Sequence, residues 1–318
     1  MSEVLTFGET MVLLTTPNRS GKINHSQTLV KQIGGAESNV AIALARLGHE
    51  VEWISRVGKD PFGEEILYHL RAEGVNVSNV IIDQKHPTGM MLKERPIKGD
   101  PNVFYYRKGS AASNLQKEDI KRTCIRSAQI MHITGITLAL SESCRDTVFE
   151  AVNRAKEAGV KISIDPNLRL KLWSIEEARP VLMKLIKQSD YFFPGIDEAR
   201  LLLNKPNYSA EKIIHEFLEL GIRQIILKLG PEGCIVANNR QIAQVEGIQV
   251  PEVDTVGAGD GFSAGYLSGV LSGLSEKECA KRANIVGALA VTAESDYGGY
   301  PTREELETVF NKSNIVTR

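Results

Sequence analysis

The sequence predicts an α/β protein, a doubly wound, mostly parallel sheet flanked by helices, with a small β-sheet lid. Three observations carry that expectation. From residue 110 onward, short apolar strands alternate with amphipathic helices, the pattern of a parallel sheet covered on both faces. Between Thr88 and Lys108, two extended runs rich in aromatic and Met residues follow one another without a helix, which suits a hairpin outside that sheet. Finally, Asp254 to Ser263 (DTVGAGDGFS) runs straight into a segment where Phe262, Tyr266, Leu267, Val270 and Leu271 recur at helical spacing, so a buried helix starts near Ala258.

In chain order, Val4 to Phe7 is a short apolar strand, and Val12 to Thr16 and Thr28 to Ile33 are extended pieces around a polar turn at Asn18 to Lys22. Gly34 and Gly35 open a helix with Val40, Leu44 and Leu47 on one face, and Gly48 ends it. Val51 to Val57 reads as one buried strand, and Asp60 with Pro61 begins a helix running to about Glu73. Thr88 to Arg95 and Asn102 to Lys108 flank the turn at 96–101, and together with residues 12–33 they make the lid, so 12–33 and 88–108 are set apart from a core of 1–11, 34–87 and 109–318. The alternation then gives strands at Ile130 to Thr134, Lys161 to Asp165, Tyr191 to Phe193 and Ile225 to Leu229. Helices fall at Thr147 to Ala158, Ile175 to Ser189, Asp197 to Leu203 and Ala210 to Leu220. A hairpin through Ile235 to Val245 and helices from Ala258, Glu276 and Arg303 complete the chain.

Composition narrows the function classes. The 318 residues are 42% hydrophobic and 24% charged, ordinary for a soluble globular protein. A formal charge of −1 argues against nucleic acid or an anionic membrane surface as the main partner. The four cysteines are widely spaced with no C-x-x-C, which fits free thiols in a reducing cytoplasm and neither a disulfide framework nor a zinc site. The six histidines show no H-x-x-x-H or H-x-E spacing, and His132, in an apolar strand, is expected to be a core residue and not a ligand.

The chemistry concentrates at the predicted carboxyl ends of strands, where ligands of such sheets bind. Gly257 and Gly259 strip bulk from the start of a helix, so the amides of Gly257, Ala258 and Gly259 converge at its positive end and suit an anion. Asp260 in the same turn is placed to take a proton from a hydroxyl attacking phosphorus; taken alone, the turn leaves open that it only caps the helix. The glycines are spaced G-x-G-x-G, not as a dinucleotide fingerprint, and there is no P-loop motif. Asp165, Asn167 and Arg169 share one loop, and Gly230, Glu232 and Gly233 form a turn whose backbone suits a nucleotide phosphate; a plain connecting turn is the alternative for each. Gly34 and Gly35 allow close approach of a small ligand, with Asn39 one turn on. Tyr105 and Arg107 share a face of the lid hairpin, where ring and guanidinium suit a small acidic molecule.

With these stretches in hand, the chain resembles the ribokinase-like PfkB family of carbohydrate kinases over nearly its whole length. The resemblance rests on GGAESNVAIALARLG (Gly34–Gly48), VGKDPFG (Val57–Gly63) and DTVGAGDGFSAG (Asp254–Gly265). Within the family, FYYRKGSAAS (Phe104–Ser113), HITGI (His132–Ile136) and DPNLR (Asp165–Arg169) look most like its 2-keto-3-deoxygluconate kinases. The resemblance implies ATP-dependent phosphorylation of that keto acid at its terminal hydroxyl, with Asp260 as general base and the Gly257, Ala258 and Gly259 amides as anion hole. It implies sugar contacts from Gly34, Gly35 and Asn39, and keto-acid contacts from Tyr105, Arg107 and Arg169. Asn167, Lys228, Gly230, Glu232, Gly233 and Asn284 would lie along ATP. Mg²⁺ would arrive with the nucleotide and be organised by Glu198, a monovalent cation stays open, and a homo-oligomer, with the lid shared in a dimer, is implied. Two departures stand out. Gly195 replaces the Asn of the family's N-x-x-E, and Met91 stands where related kinases can carry a lid tyrosine. A fructokinase or ribokinase activity, and a non-catalytic sugar-acid sensor, are the alternatives.

Overall fold

The computed structural model describes residues 2–17, 22–94 and 102–312. The chain opens with β1 (Val4–Phe7), β2 (Met11–Thr15), β3 (Val30–Gly34), α1 (Ala36–Arg46), β4 (Val51–Ile54), β5 (Arg56–Gly58), α2 (Pro61–Ala72), β6 (Ile81–Asp83), β7 (Met90–Glu94) and β8 (Asn102–Tyr106). It continues through α3 (Arg122–Ser127), β9 (Ile130–Thr134), α4 (Gly135–Leu140), α5 (Glu142–Glu157), β10 (Lys161–Asp165), α6 (Ile175–Ile186), β11 (Tyr191–Phe192), α7 (Ile196–Leu203), α8 (Ala210–Glu219) and β12 (Gln224–Lys228). The hairpin β13 (Gly233–Asn238) and β14 (Ile242–Glu246) precedes α9 (Ala258–Leu271), α10 (Glu276–Ala290) and α11 (Arg303–Lys312).

The main sheet has eight strands in the order β14-β13-β12-β11-β10-β9-β1-β4. From β12 to β4 the strands are parallel, and the antiparallel β13–β14 hairpin closes one edge. Two apolar cores follow from the two covered faces. One contains Val40, Leu44, Trp53, Phe262, Leu267 and Val286 from the side of α1, α9 and α10, and the other contains Leu5, Ile133, Val152, Leu182 and Phe217 from the side of α5, α6 and α8. Because the six strands are parallel, their carboxyl ends open on one edge, where β1 delivers Glu9, β10 delivers Asp165 and β12 delivers Lys228.

The smaller sheet runs β3-β2-β7-β8, with β2 and β7 parallel and the other pairs antiparallel. Its register sets Met91 opposite Leu13 and Tyr105, and Lys93 opposite Val103, so period-two alternation turns these five toward the cleft under the sheet while Tyr106 and Phe104 stay exposed.

Local chemistry explains most boundaries. Asp60 caps α2 by accepting from the Gly63 amide, with Pro61 at the first helical position, and Gly48 and Gly74 follow their helices with φ of 87° and 81°. The single strand expected over Val51–Val57 is two. The chain breaks at Ser55, β4 stays as the edge of the main sheet, and β5 pairs in parallel with β6, anchored by the fork of Arg56 on Asp119. The helix expected from Thr147 begins at Glu142, because Ser141 caps it through the Cys144 amide, and Thr134 caps the additional short α4 through the Ile136 amide. The turns expected at 18–22 and 96–101 lie outside the described residues, save Lys22. All four cysteines are buried free thiols. Among the described residues, no helix is long and apolar enough to cross a membrane.

Helix α9 sits between α1 and α10, and small residues let it lie close to α10. A Cβ on Gly265 would come within 2.9 Å of both Ala283 Cα and the Arg282 carbonyl oxygen, and one on Gly269 within 2.8 Å of Cys279 Cα. Both clashes are with backbone, so no rotamer change relieves them. Gly265→Val is therefore expected to lower unfolding stability by about 1–3 kcal/mol, read as a lower denaturant midpoint at unchanged slope.

Candidate active site

The site is organised by the first turn of α9. Gly257 precedes the helix with φ of 83°, a left-handed conformation, and a Cβ there would lie 1.8 Å from the Asp296 carbonyl oxygen, so glycine is required twice over. The turn is held from behind, since the Tyr300 hydroxyl donates to the Gly257 carbonyl oxygen at 2.7 Å. It is also held from its own start, where Asp254 Oδ1 accepts the Val256 amide at 3.1 Å. The resulting helix mouth, with the Gly257, Ala258 and Gly259 amides at its positive end, faces a cleft.

That cleft, about 780 Å³, lies between the carboxyl edge of the main sheet and the inner face of the small sheet. Gly34, Gly35, Asn39, Tyr105, Arg107, Asn167, Arg169, Lys228, Gly257, Gly259 and Asp260 all line it, so the structure gathers residues that lie more than two hundred positions apart. A second cavity of about 330 Å³ adjoins it between the β12–β13 turn and α9–α10, lined by Gly230, Gly233, Ala258 and Asn284 among others. The two share Lys228, Thr255 and Gly259.

Asp260 is 7% exposed at the inner end of the larger cleft. Asn39 Nδ2 donates to its Oδ2 at 2.8 Å and Asn167 Nδ2 to its Oδ1 at 3.3 Å. Burial pushes the Asp260 carboxyl up to about 7; the Asn39 hydrogen bond opposes this, the Asp165 charge adds to it, and Arg169 and Lys228 oppose it. Asp165 itself is tied down, accepting from Lys228 Nζ at 2.7 Å, from Ser263 Oγ at 3.2 Å and from the Asn167 amide at 3.1 Å. Burial works against the Lys228 charge, but Asp165 and Glu198 outweigh it and hold the ammonium above its ordinary value. Glu198 accepts the Leu168 amide at 2.7 Å and the Gly195 amide at 2.9 Å, and burial raises its carboxyl. Gly195 is the N-cap of α7 with φ of −74°, open to any residue, and without a side chain it leaves unmade the cap bond an Asn could supply, a loss of about a few tenths of a kcal/mol.

The two arginines differ. Arg107 is 8% exposed and already engaged, with Nε and Nη2 each 2.6 Å from Oε2 of the buried Glu9, whose other oxygen accepts from Ser110 Oγ. Tyr105 packs its ring 5.6 Å from that guanidinium. Arg169, among the described residues, has no carboxylate within ion-pair distance and projects into the cleft wall.

The remaining expected residues fall as follows. Asn167 stands beside Asp260 in the larger cleft and not along the smaller cavity, and its φ of 34° shows a backbone bent to put it there. Glu232 is exposed and lines neither cavity. Asn284 lines the smaller cavity, but both hydrogens of its amide are donated to the Val245 and Glu246 carbonyl oxygens. Met91 packs on Gly34 within the cleft. His132 is fully buried with Nδ1 2.8 Å from Ser163 Oγ, and burial holds it down to about 4. Sequence reasoning missed Glu9, Lys93 and Asp296. A lysine alternating with Met91, on the same face of the strand, was the available signal for Lys93.

The model of the pfkB family of carbohydrate kinases matches residues 1–303. The chain belongs to that family. As a pfkB kinase it is 42% identical to the 2-dehydro-3-deoxygluconokinase of Bacillus subtilis, across 99% of this chain and 97% of that protein. An E. coli protein crystallised with ATP and Mg²⁺ superposes with a TM-score of 0.89 at 29% identity, covering 99% of this chain and 100% of the other. The Vibrio cholerae fructokinase crystallised with fructose, ADP and calcium superposes at 0.85 with 30% identity, covering 97% and 98%. These likenesses fix the ribokinase-like fold and the use of nucleotide and metal by the pfkB family to which the chain belongs.

The charge balance around Asp260 is testable apart from turnover. The Asp260 carboxyl carbon is expected to titrate near 7 by ¹³C NMR, a resonance lost in Asp260→Asn. Because the Asp165 charge raises it, Asp165→Asn should move the midpoint down.

Proposed function

We propose that this pfkB kinase phosphorylates 2-dehydro-3-deoxy-D-gluconate on its 6-hydroxyl. The observation that carries this reading is the buried Asp260 at the helix mouth, where a cleft of sugar-acid size joins a second cavity. Arg169, which lines that cleft and has no carboxylate partner among the described residues, supports an acidic sugar, as does the 42% identity to the Bacillus subtilis 2-dehydro-3-deoxygluconokinase. In this reading, residues 12–33 and 88–108 act as the lid. The exposed Phe104, Tyr106, Leu29 and Val30 support assembly of two copies through it.

The donor set fits ATP with Mg²⁺. A helix mouth kept open by glycine suits phosphate, Lys228 stands where the two cavities meet, and the smaller cavity has an apolar wall of Phe262, Ala288 and Val291 for a base. Gly230, Gly233 and Asn284 would flank the nucleotide, and Glu198 would organise the metal's side of the phosphates. When bound, MgATP supplies the phosphoryl group and the metal charge that offsets its oxygens.

The chain's own residues do the rest. Gly34, Gly35 and Asn39 hold sugar hydroxyls, and Arg169 holds the carboxylate, with Tyr105 and Arg107 closing the lid side. Asn39 and Asn167 fix Asp260 so that one carboxylate oxygen faces the 6-hydroxyl and receives its proton. A carboxyl poised near 7 is half ionised at working pH and still basic enough to accept it. The Gly257, Ala258 and Gly259 amides and Lys228 stabilise negative charge at the transferred group.

Fructose is the second reading, favoured by one observation. Glu9 already neutralises Arg107, so that among the described residues Arg169 alone of the two expected arginines lacks a carboxylate partner.

A coupled ATP assay with the keto acid, fructose and ribose separates the two. Selective turnover of the keto acid is expected, and Arg169→Met should then raise its KM about tenfold or more with kcat changed far less, as for a charge-assisted contact worth about 1.5–3 kcal/mol. Turnover of fructose alone would discard the carboxylate contact, and binding of the keto acid without turnover of any sugar would favour a sensor.

Asp260→Asn should lower kcat about 10²–10⁴-fold. In the wild type, kcat/KM should fall as pH drops through about 7, because protonation removes the base. The residual rate of Asp260→Asn should lack that limb. A variant keeping more than about a tenth of the rate would remove Asp260 from the base role.

A further inference from the structure

Glu37 has no part in the steps above, yet it is wholly buried as the second residue of α1. The Thr134 hydroxyl, at the end of β9, and the Thr137 hydroxyl, in α4, both donate to its Oε1, at 2.7 and 2.6 Å. Thr137 Oγ1 also lies 3.5 Å from the Phe7 carbonyl oxygen at the end of β1. Gly8 makes the room, since a Cβ there would clash with the Glu37 carboxyl. One carboxyl thus sits where α1 meets the ends of β1 and β9 and the start of α4, and Glu9 and Ile136 lead from there into the cleft. Burial raises the Glu37 carboxyl and the two hydroxyls oppose this, so it is a costlier occupant than an apolar side chain of like volume. Of the other side chains in that turn, Ser38 Oγ donates back to the Gly35 carbonyl oxygen and Asn39 Nδ2 reaches Asp260. Among the described residues, the side-chain hydrogen bonds that hold the first turn of α1 on β9 and α4 are therefore those of Glu37.

We propose that Glu37 is a positioning residue, which holds the first turn of α1 on β9 and α4 and so keeps the Asn39 amide on Asp260. Residues two apart on a helix point about 200° from one another, so Glu37 and Asn39 grip opposite sides of one turn. With one side released the turn rolls, and Asn39 moves with it. Val40 and Leu44 hold the later turns by apolar packing, so the rest of α1 keeps its place. The sign of the outcome separates this from a direct effect of charge. The Asn39 bond lowers the Asp260 carboxyl, so its loss moves the Asp260 midpoint up. Loss of a negative charge at Glu37 moves that midpoint down, and loss of a neutral carboxyl leaves it alone. Asn167, Asp165, Arg169, Lys228 and Tyr300 also face Asp260, and among the described residues none of them hydrogen-bonds Glu37. The effect on turnover rests on the phosphoryl-transfer reading above; the effect on Asp260 does not.

The test is the Asp260 titration by ¹³C NMR in wild type and Glu37→Leu, with denaturant unfolding and steady-state kinetics on the same proteins. Expected in Glu37→Leu is an Asp260 midpoint about one unit or more above the wild type's, as for loss of a hydrogen bond to a charged group. The denaturant midpoint should stay at or above the wild type's, because an apolar side chain replaces a buried carboxyl. With whichever sugar the wild type phosphorylates, kcat should fall about tenfold or more while the KM for ATP holds. Glu37→Gln, which keeps one acceptor oxygen for the two hydroxyls, should hold the Asp260 midpoint near wild type. In an Asn39→Ala background, where the bond is already gone, Glu37→Leu should move the midpoint no further. Should Glu37→Leu fail to fold, Thr137→Val, which removes one donor at nearly equal volume, is read for the same upward shift. An unchanged or lowered Asp260 midpoint would overturn the proposal, as would a shift that persists on Asn39→Ala, or Glu37→Gln shifted as far as Glu37→Leu. A raised midpoint at unchanged kcat would remove Glu37 from turnover. A wild type that ignores the keto acid would overturn the substrate alone, since the titration needs neither sugar nor ATP.

Discussion

Burying the Asp260 carboxyl in the first turn of α9 sets the terms for everything around it. Out of water, an ionised carboxylate needs donors, and two distant segments bring them: α1 supplies Asn39, and the loop after β10 supplies Asn167 from a strained backbone. The nearby Asp165 charge makes matters worse, and its pairing with Lys228 and the Ser263 bond offset it only in part. The outcome is a carboxyl balanced near neutrality and not one driven fully to either form. Such a balance depends on the parallel sheet, because only the shared carboxyl edge of β1, β10 and β12 brings these groups into one place.

Much of this was legible before any coordinates. Strand–helix alternation gave the parallel sheet, since period and turn chemistry are local properties of the chain. The turn DTVGAGD announced its own geometry, because a left-handed residue pressed against another backbone admits only glycine, as Gly257 does. The early start of α5 and the added α4 turned on the local caps Ser141 and Thr134, whereas the strand error fell where the deciding contact was tertiary. The apolar run Val51–Val57 carries no sign that the chain will leave the sheet at Ser55, a departure anchored by Asp119 more than sixty residues on.

The polar pairings were the least legible part of the site. Arg107 reads as a free lid guanidinium until Glu9, far earlier in the chain, is found to saturate one side of it. Lys93 shares a strand face with Met91, but only the fold shows that its ammonium reaches Asp254. Residue type and spacing say that a charge is present. Whether the charge is spent internally or offered to a ligand depends on what the fold sets beside it, and no local pattern encodes that.

This distinction bears on specificity. A guanidinium already held by a buried carboxylate gains less from a second anion than a free one does, because part of its field is cancelled and its donors are occupied. On the proposed reading, Arg169, without a carboxylate partner among the described residues, would therefore be the stronger determinant of an acidic substrate, while the Glu9–Arg107 pair is better suited to fixing the shape of the small sheet's side, with Tyr105 beside it. On that reading the paired arginine would orient and the other attract, and the stretches FYYRKGSAAS and DPNLR that hold them do not separate those tasks.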